Sequence, residues 1–519
     1  MKHETDTSAQ RLAAFSRRAE CQALMCWKYL RDAPLRIGGN RNLKLSQLKV
    51  FSEDELSEIH QATLDVLWNT GMNIDSQEAL ALLKAGGATV DSGKKVAKIP
   101  EHLIKEALKS APRPSEVILY DRNQKPSMRL GAGVTYALSG FDATYVFDSR
   151  LGERRPATKD DVANFSKLAD ALPNIHGVAT QAIPQDVPQR SAELHAAEVM
   201  FSNTEKHLVF CPTSPAMARA IFEMVKAVTG NEQLERAPVL GCEFSPTNPL
   251  MWERNAVEAL VETARNGVPI LLLPQPITGV TSPITIAGTM VIHNAQNLSG
   301  LVISQLAKRG SPFIYACAAT TFDMREATPI IGSPESVLMR IASVQLADFY
   351  KLPSHSTSPD TDAHCHDEQN AWERMMTTQA AMMSGADMII NPGMFATGLT
   401  VSYEQLVIDD ELLGYIYRMA KGIEVNSDTI ATELIERVGP TASFLKEAHT
   451  LRNLKLEHWM PSISCRTAYA RWTQRGRKDV VMVARDKAEK ILREHQPKTL
   501  SEETLRRLSQ ITKKFDNAP

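Results

Sequence analysis

Between residues 52 and 110 the hydrophobic positions recur at helical spacing. Ser52 and Glu55 form the sequence signature of a capping box, and apolar residues follow at intervals of three and four up to Gly71. A second stretch of this kind covers 76–86 and ends at a Gly-Gly pair, and a third covers 100–110 and ends before Pro112. The pattern predicts three helices at the start of the folded chain.

Short apolar runs follow these helices and predict strands at 117–120, 134–139 and 144–148. We therefore interpret residues 49–155 as an α+β region. The preceding residues 1–48 are basic and irregular. We interpret them as an N-terminal extension, partly helical over about 9–30, which either takes part in oligomer contacts or forms a loosely ordered tail.

From about residue 156 to 425 helical stretches alternate with short runs rich in Val, Ile, Leu and Ala, and Gly often marks the junction. VETARNG (261–267) leads into VPILLLP (268–274), and AAMMSGA (380–386) leads into DMIINPG (387–393). Strands of parallel sheets have this composition when both of their faces are covered. Six or seven such units in series predict a closed barrel or a doubly wound sheet.

Two features favour the barrel. No G-x-G-x-x-G follows the first strand, so the usual dinucleotide signature is absent. Nearly every strand ends in a polar or Pro-rich stretch, as in QAIPQD, EFSPTNP and NPGM. Such residues also make ordinary turns, but loops of this kind after every strand form the active face of a (β/α)₈ barrel. We therefore predict an α/β protein with a TIM-type (β/α)8 barrel over 156–425, an N-terminal α+β region and a C-terminal helical segment over 426–519.

Composition excludes several classes of protein. The chain has 519 residues, of which 43% are hydrophobic and 23% charged, and its net charge is −2. A charge this small gives no basis for binding nucleic acid or an anionic membrane. Seven scattered cysteines fit reduced thiols better than a disulfide framework. The first ten residues are polar, and no apolar run reaches the length of a transmembrane helix, so a cytoplasmic protein is expected.

Six separated segments are more specific than this pattern. They are collinear and cover roughly residues 50–495, and they lie at 148–175, 279–306, 332–354, 361–373, 402–414 and 438–462. On these segments the chain resembles the trimethylamine methyltransferase superfamily, and six such matches would not occur together by chance. The resemblance implies transfer of a methyl group from a methylated amine to the cobalt of a separate corrinoid protein. The chain itself would then bind no cofactor tightly, and we expect it to form a homo-oligomer.

Part of this superfamily carries pyrrolysine and uses trimethylamine, whereas the larger part lacks it and includes enzymes for glycine betaine and other quaternary amines. Ordinary residues occupy Ser354–Asp362, where the resemblance places pyrrolysine, so the chain resembles the second branch. A quaternary ammonium leaves as a neutral amine, so its displacement by cobalt(I) needs positioning more than proton transfer. The resemblance therefore favours glycine betaine or another quaternary amine as the methyl donor.

Two alternatives stay open at the level of sequence. The donor is trimethylamine or another N-methyl compound, or the chain is a non-catalytic binding subunit of a one-carbon pathway. The second alternative is supported by departures from the family: His364 stands where the family commonly has Lys, and the residues at 356–358 stand where it commonly has glycines.

Aromatic side chains are the first candidates for the substrate site. A quaternary ammonium has no N–H, and each aromatic face that it meets contributes roughly 0.5–2 kcal/mol. The candidates at the expected mouth are Tyr136, Phe141, Phe244 and Phe395. Each of these is also a common core residue. Phe141 is less readily explained in that way, because it follows Gly140 in a turn-like Ser-Gly-Phe-Asp.

Carboxylates at the ends of strands are the second group of candidates. Glu243 ends an apolar strand, where a carboxylate is costly unless it is paired or used. Asp323, Asp360 and Asp362 hold similar positions, but could equally cap the following helices. We take Glu243, Asp323 and Asp362 as candidate catalytic residues that act by positioning the substrate.

The carboxylate of a betaine would need hydrogen-bond donors. The nearest candidates by strand position are Gln181, Gln275, Arg325, His355 and the hydroxyls of Ser356, Thr357 and Ser358. His355, His364 and His366 together with Cys365 also suggest a metal site. Their spacing is too tight for a closed zinc site, and methyl transfer needs no metal bound to this chain. No metal site is therefore predicted.

Overall fold

The computed structural model describes residues 47–517. Its centre is a single sheet of eight parallel strands, which we number β1 to β8 in chain order. They are β1 (Tyr136–Ala137), β2 (Gly177–Ala179), β3 (His207–Phe210), β4 (Leu240–Phe244), β5 (Ile270–Leu272), β6 (Phe313–Cys317), β7 (Ser354–Thr357) and β8 (Met388–Ile390).

The sheet closes on itself. Each strand pairs in parallel with the next from β2 to β8, and Tyr136 of β1 is paired with Met388 of β8. On its other side, Leu138 at the end of β1 forms a parallel bridge to Gly177 of β2. The predicted TIM-type barrel is therefore present. Its first strand lies before residue 156, within the predicted strand at 134–139 that was assigned to the α+β region.

A helix follows each strand, as the alternating pattern predicts. These helices are α1 (Lys159–Ala171), α2 (Ala192–Asn203), α3 (Pro215–Thr229), α4 (Arg254–Arg265), α5 (Ile286–Ala307), α6 (Pro334–Tyr350), α7 (Glu368–Met383) and α8 (Tyr403–Ala420). Short 3₁₀ helices precede α2 at Gln189–Ser191 and β4 at Leu234–Arg236. The outward side chains of the strands and the inner faces of the helices form one continuous apolar core.

The N-terminal region contains the three predicted helices, at Glu53–Asn69, Gln77–Gly86 and Glu101–Ser110, and the capping box of Ser52 and Glu55 is formed. A small sheet joins Met251–Trp252, Met72–Ile74, Val96–Lys98 and Thr89–Asp91.

A hairpin of Ile118–Tyr120 and Pro126–Arg129, preceded by a 3₁₀ turn at Pro114–Glu116, lies across the amino-terminal end of the barrel. Its side chains Leu119 and Met128 pack against Val209 and Leu271 inside the lumen. At the end of its first strand, the Tyr120 N–H donates to the carbonyl of Pro238, just before β4. The hairpin therefore closes this end of the barrel with apolar side chains.

The carboxyl-terminal end of the barrel carries two additions. A four-stranded sheet of Met394–Phe395, Thr400–Val401, Tyr145–Asp148 and Glu153–Pro156 is built from the loops after β8 and β1. A hairpin of Thr321–Asp323 and Thr328–Ile330 extends from the loop after β6. These additions surround the opening at which the predicted site residues were expected.

The C-terminal segment consists of two parts. Helix Val480–Glu494 packs against α8 and α1, and helix Glu502–Asp516 packs against α2 and α3, with the short helix Tyr469–Gln474 before them. Ile423–Met460 belongs to a separate compact unit with helices Ser427–Ile430, Thr432–Val438 and Ala448–Glu457 and a 3₁₀ turn at Phe444–Lys446. The proposed extension over 1–48 lies outside the described residues except for its last two.

Helices long and apolar enough to cross a membrane do not occur between residues 47 and 517.

Candidate functional site

Glu243 and His355 form the centre of the site inside the barrel lumen. Glu243 is paired in register with Leu271 and His355 with Met388, and both partners belong to the lumen cluster, so these two side chains also point inward. Glu243 Oε2 lies 4.0 Å from His355 Nδ1, and both side chains are almost fully buried. Within the described residues, neither ring nitrogen of His355 nor this Glu243 oxygen has a hydrogen-bond partner.

Burial controls the charge of both groups. It raises the pKa of Glu243 well above its usual value, with a further increase from the nearby charge of Asp142. Burial also lowers the pKa of His355 to about 3, so the imidazole is neutral at physiological pH. A neutral imidazole offers one N–H donor and one acceptor. The free protein therefore holds unsatisfied polar atoms in an apolar lumen, and binding of a polar or cationic ligand would remove that cost.

Gln181 supplies the next polar group. Its Nε2 donates to the carbonyl of Pro392 at 3.0 Å, while its Oε1 is buried without a partner in the described part of the chain. Two glycines leave room for this amide: a Cβ on Gly393 would lie 2.8 Å from Gln181 Nε2, and a Cβ on Gly140 would overlap Met394. The close approach of the loops after β1 and β8 therefore fixes the orientation of the Gln181 side chain.

Phe141 and Asp142 extend the site towards the opening. Phe141 packs against the lumen cluster, and its N–H donates to Met394 Sδ at 2.8 Å. Asp142 adopts a left-handed backbone conformation with φ 55°, which Asp tolerates better than most residues. Burial, with a smaller contribution from the charge of Glu193, raises the pKa of Asp142 to about 8. We refer to Phe141, Asp142, Gln181, Glu243 and His355 as the lumen site.

Four members of the lumen site, but not Asp142, are among the residues predicted from the sequence. The signal was present in the Ser-Gly-Phe-Asp turn that identified Phe141. An Asp next to a glycine in a turn is normally a solvated residue that bonds to its own backbone, so its type alone does not single it out.

The lumen site is acidic. The charge of Glu193 on α2 raises the pKa of Asp142, and the carboxylates of Asp142, Glu243 and Glu193 add to burial in raising the pKa of the Cys211 thiol. Among residues 47–517, no lysine or arginine forms an ion pair with Glu243 or Asp142. Within this range these carboxyl groups therefore lack a counter-charge.

Two of the aromatic candidates lie elsewhere. Tyr136 begins β1 and so lies at the amino-terminal end of the barrel, where its ring meets His176 edge-on and its hydroxyl accepts the Arg129 N–H. Phe244 is at the correct end of β4, but it points outward into the core between barrel and helices. Alternation along a strand separates Phe244 from its neighbour Glu243 in this way.

Phe395 lies in the small sheet above β8 and not in the lumen cluster. It is buried between Phe147 and His366, with ring centroids 5.3 Å and 5.5 Å away. Burial lowers the pKa of His366 to about 4, so this aromatic cluster is uncharged. Phe395 therefore stabilises a loop of the mouth.

Asp323 and Asp362 hold loops in place. Asp323 accepts hydrogen bonds from the backbone and guanidinium of Arg325 at the turn of its hairpin, and these bonds lower its pKa below the usual range. Asp362 accepts the N–H groups of Ile331 and Gly332 and the hydroxyl of Thr397. Asp362 therefore connects the loops that follow β6, β7 and β8.

The remaining polar candidates are divided between the loops and the outer face of β7. Gln275 is exposed after β5. Ser356 is paired with Cys317 and Ile389, which point to the helix layer, and Ser358 donates its N–H to the carbonyl of Ile390. No group of three or more His, Cys, Asp or Glu side chains in the described range could hold a metal ion.

Two buried ion pairs anchor the loops above β7 and β8. The guanidinium of Arg340 lies 2.8 Å from the carboxylate of Asp360, and that of Arg374 pairs with Asp409. Arg374 also donates to the carbonyl of Met394, and Asp409 accepts the N–H of Gly393 at 2.6 Å. Both guanidinium groups are thus neutralised within the protein.

Comparison with known proteins gives a consistent result. A family model described as trimethylamine methyltransferase matches residues 36–518. The trimethylamine methyltransferase MttB of Desulfitobacterium hafniense is 34% identical over 468 residues, which cover 90% of this chain and 94% of that protein. Its counterpart from Methanosarcina barkeri is 34% identical, with 93% and 98% covered.

A protein named glycine betaine methyltransferase from Desulfitobacterium hafniense is 31% identical over 433 residues, covering 83% of this chain and 89% of that protein. Among solved structures, the monomethylamine methyltransferase of Methanosarcina barkeri aligns with 95% of this chain and 97% of its own, with a TM-score of 0.46 and 12% identity.

Proposed function

The chain belongs to the trimethylamine methyltransferase family, and from this membership we propose that it moves a methyl group from a quaternary amine to the cobalt(I) of a separate corrinoid protein. The amine binds in the lumen site with one methyl group directed towards the opening. The corrinoid protein is the acceptor substrate and docks over the carboxyl-terminal end of the barrel. No cofactor needs to be held tightly by this chain.

The observation that carries this proposal is the buried carboxyl group of Glu243. In the part of the chain that the structure describes, it has no lysine or arginine partner, and the neighbouring His355 is neutral. A quaternary ammonium is a cation that cannot donate a hydrogen bond from nitrogen, so a carboxylate and an aromatic face are the groups that recognise it. Glu243 supplies the carboxylate, and Phe141 supplies the aromatic face.

The transfer balances without a proton. The methyl carbon leaves the nitrogen, the electron pair of the broken C–N bond stays on nitrogen, and the product is a neutral tertiary amine. The pair that forms the new bond to carbon comes from cobalt(I). The protein therefore needs no general acid, and its task is to hold the C–N bond in line with the opening. The lumen site does this by fixing the charged nitrogen against Glu243.

A second donor is supported by one observation. Several relatives named trimethylamine methyltransferase share 31–34% identity with this chain, and the glycine betaine methyltransferase shares 31%. Overall similarity therefore does not distinguish a tertiary from a quaternary amine. Ordinary residues at Ser354–Asp362 favour the quaternary amine, since a substrate that already carries N⁺ needs no further activation.

The test uses the purified chain, a corrinoid protein reduced to cobalt(I), and a panel of choline, tetramethylammonium, glycine betaine, carnitine and trimethylamine. The fall of cobalt(I) absorbance reports methyl transfer. We expect at least one quaternary amine to react and trimethylamine to fail. Turnover of trimethylamine alone would show that a tertiary amine is the methyl donor. Tight binding of an amine with no methyl transfer to any acceptor would select a non-catalytic binding subunit.

The rim of the opening is the expected docking surface for the acceptor. The loop after β5 and the hairpin after β6 border a groove of about 410 Å³. Around it Val280, Ile284 and Met324 expose 52%, 65% and 61% of their surface. Exposed apolar side chains grouped beside an opening are typical of a protein-binding surface. Docking here would bring the cobalt over the lumen.

We expect Met324→Lys to raise the KM for the corrinoid protein about tenfold, because a charged side chain would be desolvated in the contact. The affinity for the amine, measured by calorimetry, should not change. Met419→Lys is the matched control, since Met419 is 41% exposed at the end of α8, on the opposite side of the barrel. Equal effects of the two substitutions on KM would exclude this rim as the docking surface.

A further inference from the structure

The charge pattern of the lumen site restricts the substrate beyond the proposed function, on which this inference rests. A betaine carries a carboxylate in addition to its quaternary nitrogen. Such a group needs a cation or several strong donors when it is buried. The lumen site instead contains two carboxyl groups, those of Asp142 and Glu243, and the charge of Glu193 acts on Asp142 from α2.

The basic residues above β7 and β8 are already paired. Arg340 is engaged by Asp360 and by the hydroxyl of Thr357, and Arg374 by Asp409 and the carbonyl of Met394. Reassigning either guanidinium to a substrate would leave a buried carboxylate without its partner. No positive charge is therefore available for a substrate carboxylate at these positions.

The unsatisfied atoms of the lumen fit an uncharged group better. Both ring nitrogens of His355 and Gln181 Oε1 are buried without partners in the described structure. His355 is 1% exposed and Gln181 is equally buried. A hydroxyl group can accept from the imidazole N–H and donate to the amide oxygen at the same time. A carboxylate could only accept, so it would leave Gln181 Oε1 without a donor, and Asp142 and Glu243 would repel it once they have lost their protons.

We propose that the substrate is a monocation with an uncharged, hydroxyl-bearing fourth substituent, an N-trimethylated amino alcohol such as choline, and that zwitterionic betaines are disfavoured. The ammonium lies against Glu243 and Phe141, and the hydroxyl lies between His355 and Gln181. Asp142, once it has lost its proton, adds to the attraction for a cation and to the repulsion of an anion.

Calorimetric titration tests this without the corrinoid protein. At pH 8.5 the wild-type chain is titrated with choline, tetramethylammonium and glycine betaine. We expect choline to bind at least tenfold more tightly than glycine betaine, because only the betaine brings an anion into the acidic lumen. Choline should also bind more tightly than tetramethylammonium, which lacks the hydroxyl.

Two variants assign the effect to residues. Asp142→Asn keeps a residue that tolerates the left-handed backbone, and should reduce the ratio of choline to betaine affinity severalfold. His355→Phe should abolish the preference for choline over tetramethylammonium while both still bind. Asp323→Asn, on the exposed hairpin, is the control that should leave all three affinities unchanged.

The proposal is overturned if glycine betaine binds as tightly as choline or more tightly, or if none of the three ligands binds. The turnover assay separates this failure from failure of the proposed function. Methyl transfer from glycine betaine alone would support the proposed methyltransferase reaction and exclude an amino alcohol as its substrate. Tight choline binding with no methyl transfer from any amine would uphold this choice of ligand and reject the proposed reaction.

Discussion

Glu243→Gln is expected to lower kcat/KM for the amine by about 10²–10⁴-fold. The substitution keeps the shape of the side chain but removes the negative charge that faces the substrate nitrogen. Loss of one partner from a buried, desolvated charge pair costs about 3–5 kcal/mol, which corresponds to a change of this size. The effect should appear in the dissociation constant of the amine, measured by calorimetry, as well as in turnover.

The pH dependence provides the control. Burial raises the pKa of Glu243 in the free protein, so binding of a cation is coupled to loss of a proton from this group. Amine affinity should therefore increase as pH rises towards that pKa in the wild-type chain, with a further contribution from Asp142 as pH approaches its pKa of about 8. In Glu243→Gln the part of this increase in affinity that comes from deprotonation of Glu243 should be absent. Unchanged affinity in this variant would contradict the proposed role of Glu243.

The second large effect concerns the ion pair of Arg374 and Asp409. Asp409→Ala is expected to destabilise the chain by about 3–5 kcal/mol, because it leaves a fully buried guanidinium without a counter-charge. The N–H of Gly393 and the amide of Gln405 also lose their acceptor. Thermal unfolding with and without choline would measure the loss.

The double variant Arg374→Met with Asp409→Leu separates charge from packing. Replacing a buried ion pair by apolar residues of similar volume is often nearly neutral. We therefore expect the double variant to regain most of the melting temperature that the single variant loses. A double variant as unstable as Asp409→Ala would show that the loop after β8 depends on the specific hydrogen bonds to Gly393 and Met394.

The barrel was predictable because its pattern is strongly periodic. Buried parallel strands are uniformly apolar and the helices between them are amphipathic, so both appear in the sequence without tertiary information. A strand was predicted at 134–139, but its place in the barrel was not apparent. Tyr136–Ala137 is only two residues long and obtains its pairing from β8 and β2, and such a pairing cannot be seen locally.

Site residues could be predicted where a residue type that is normally exposed to solvent occurs in a buried strand. Glu243 is a carboxylate at the end of an apolar strand, and His355 is an ionisable residue inside a fully buried strand, and both face the lumen. Phe244 and Ser356 stand next to Glu243 and His355 in the sequence, but their side chains point out of the barrel, because adjacent residues of a strand point to opposite sides. If the assumed side-chain direction along a strand is wrong by one residue, core residues are predicted as site residues and site residues as core.

Asp323 and Asp362 illustrate a different limit. An aspartate just after a strand can bind a substrate or accept backbone N–H groups, and the residue types do not distinguish the two. In the structure the partners of both are loop groups, Arg325 for Asp323, and Ile331 and Gly332 for Asp362. These partners come from turns whose conformation is determined by the folded loops and not by local sequence.

The hairpin that closes the amino-terminal end of the barrel has a kinetic consequence. Leu119 and Met128 fill that end of the lumen, so within the described residues the amine and the acceptor share the opening at the carboxyl-terminal end. A docked corrinoid protein would trap whatever the lumen holds. Steady-state kinetics should therefore follow a compulsory order: the methylated amine enters first, the acceptor binds and leaves, and the demethylated amine departs last. An excess of acceptor would then inhibit the reaction by covering the empty barrel.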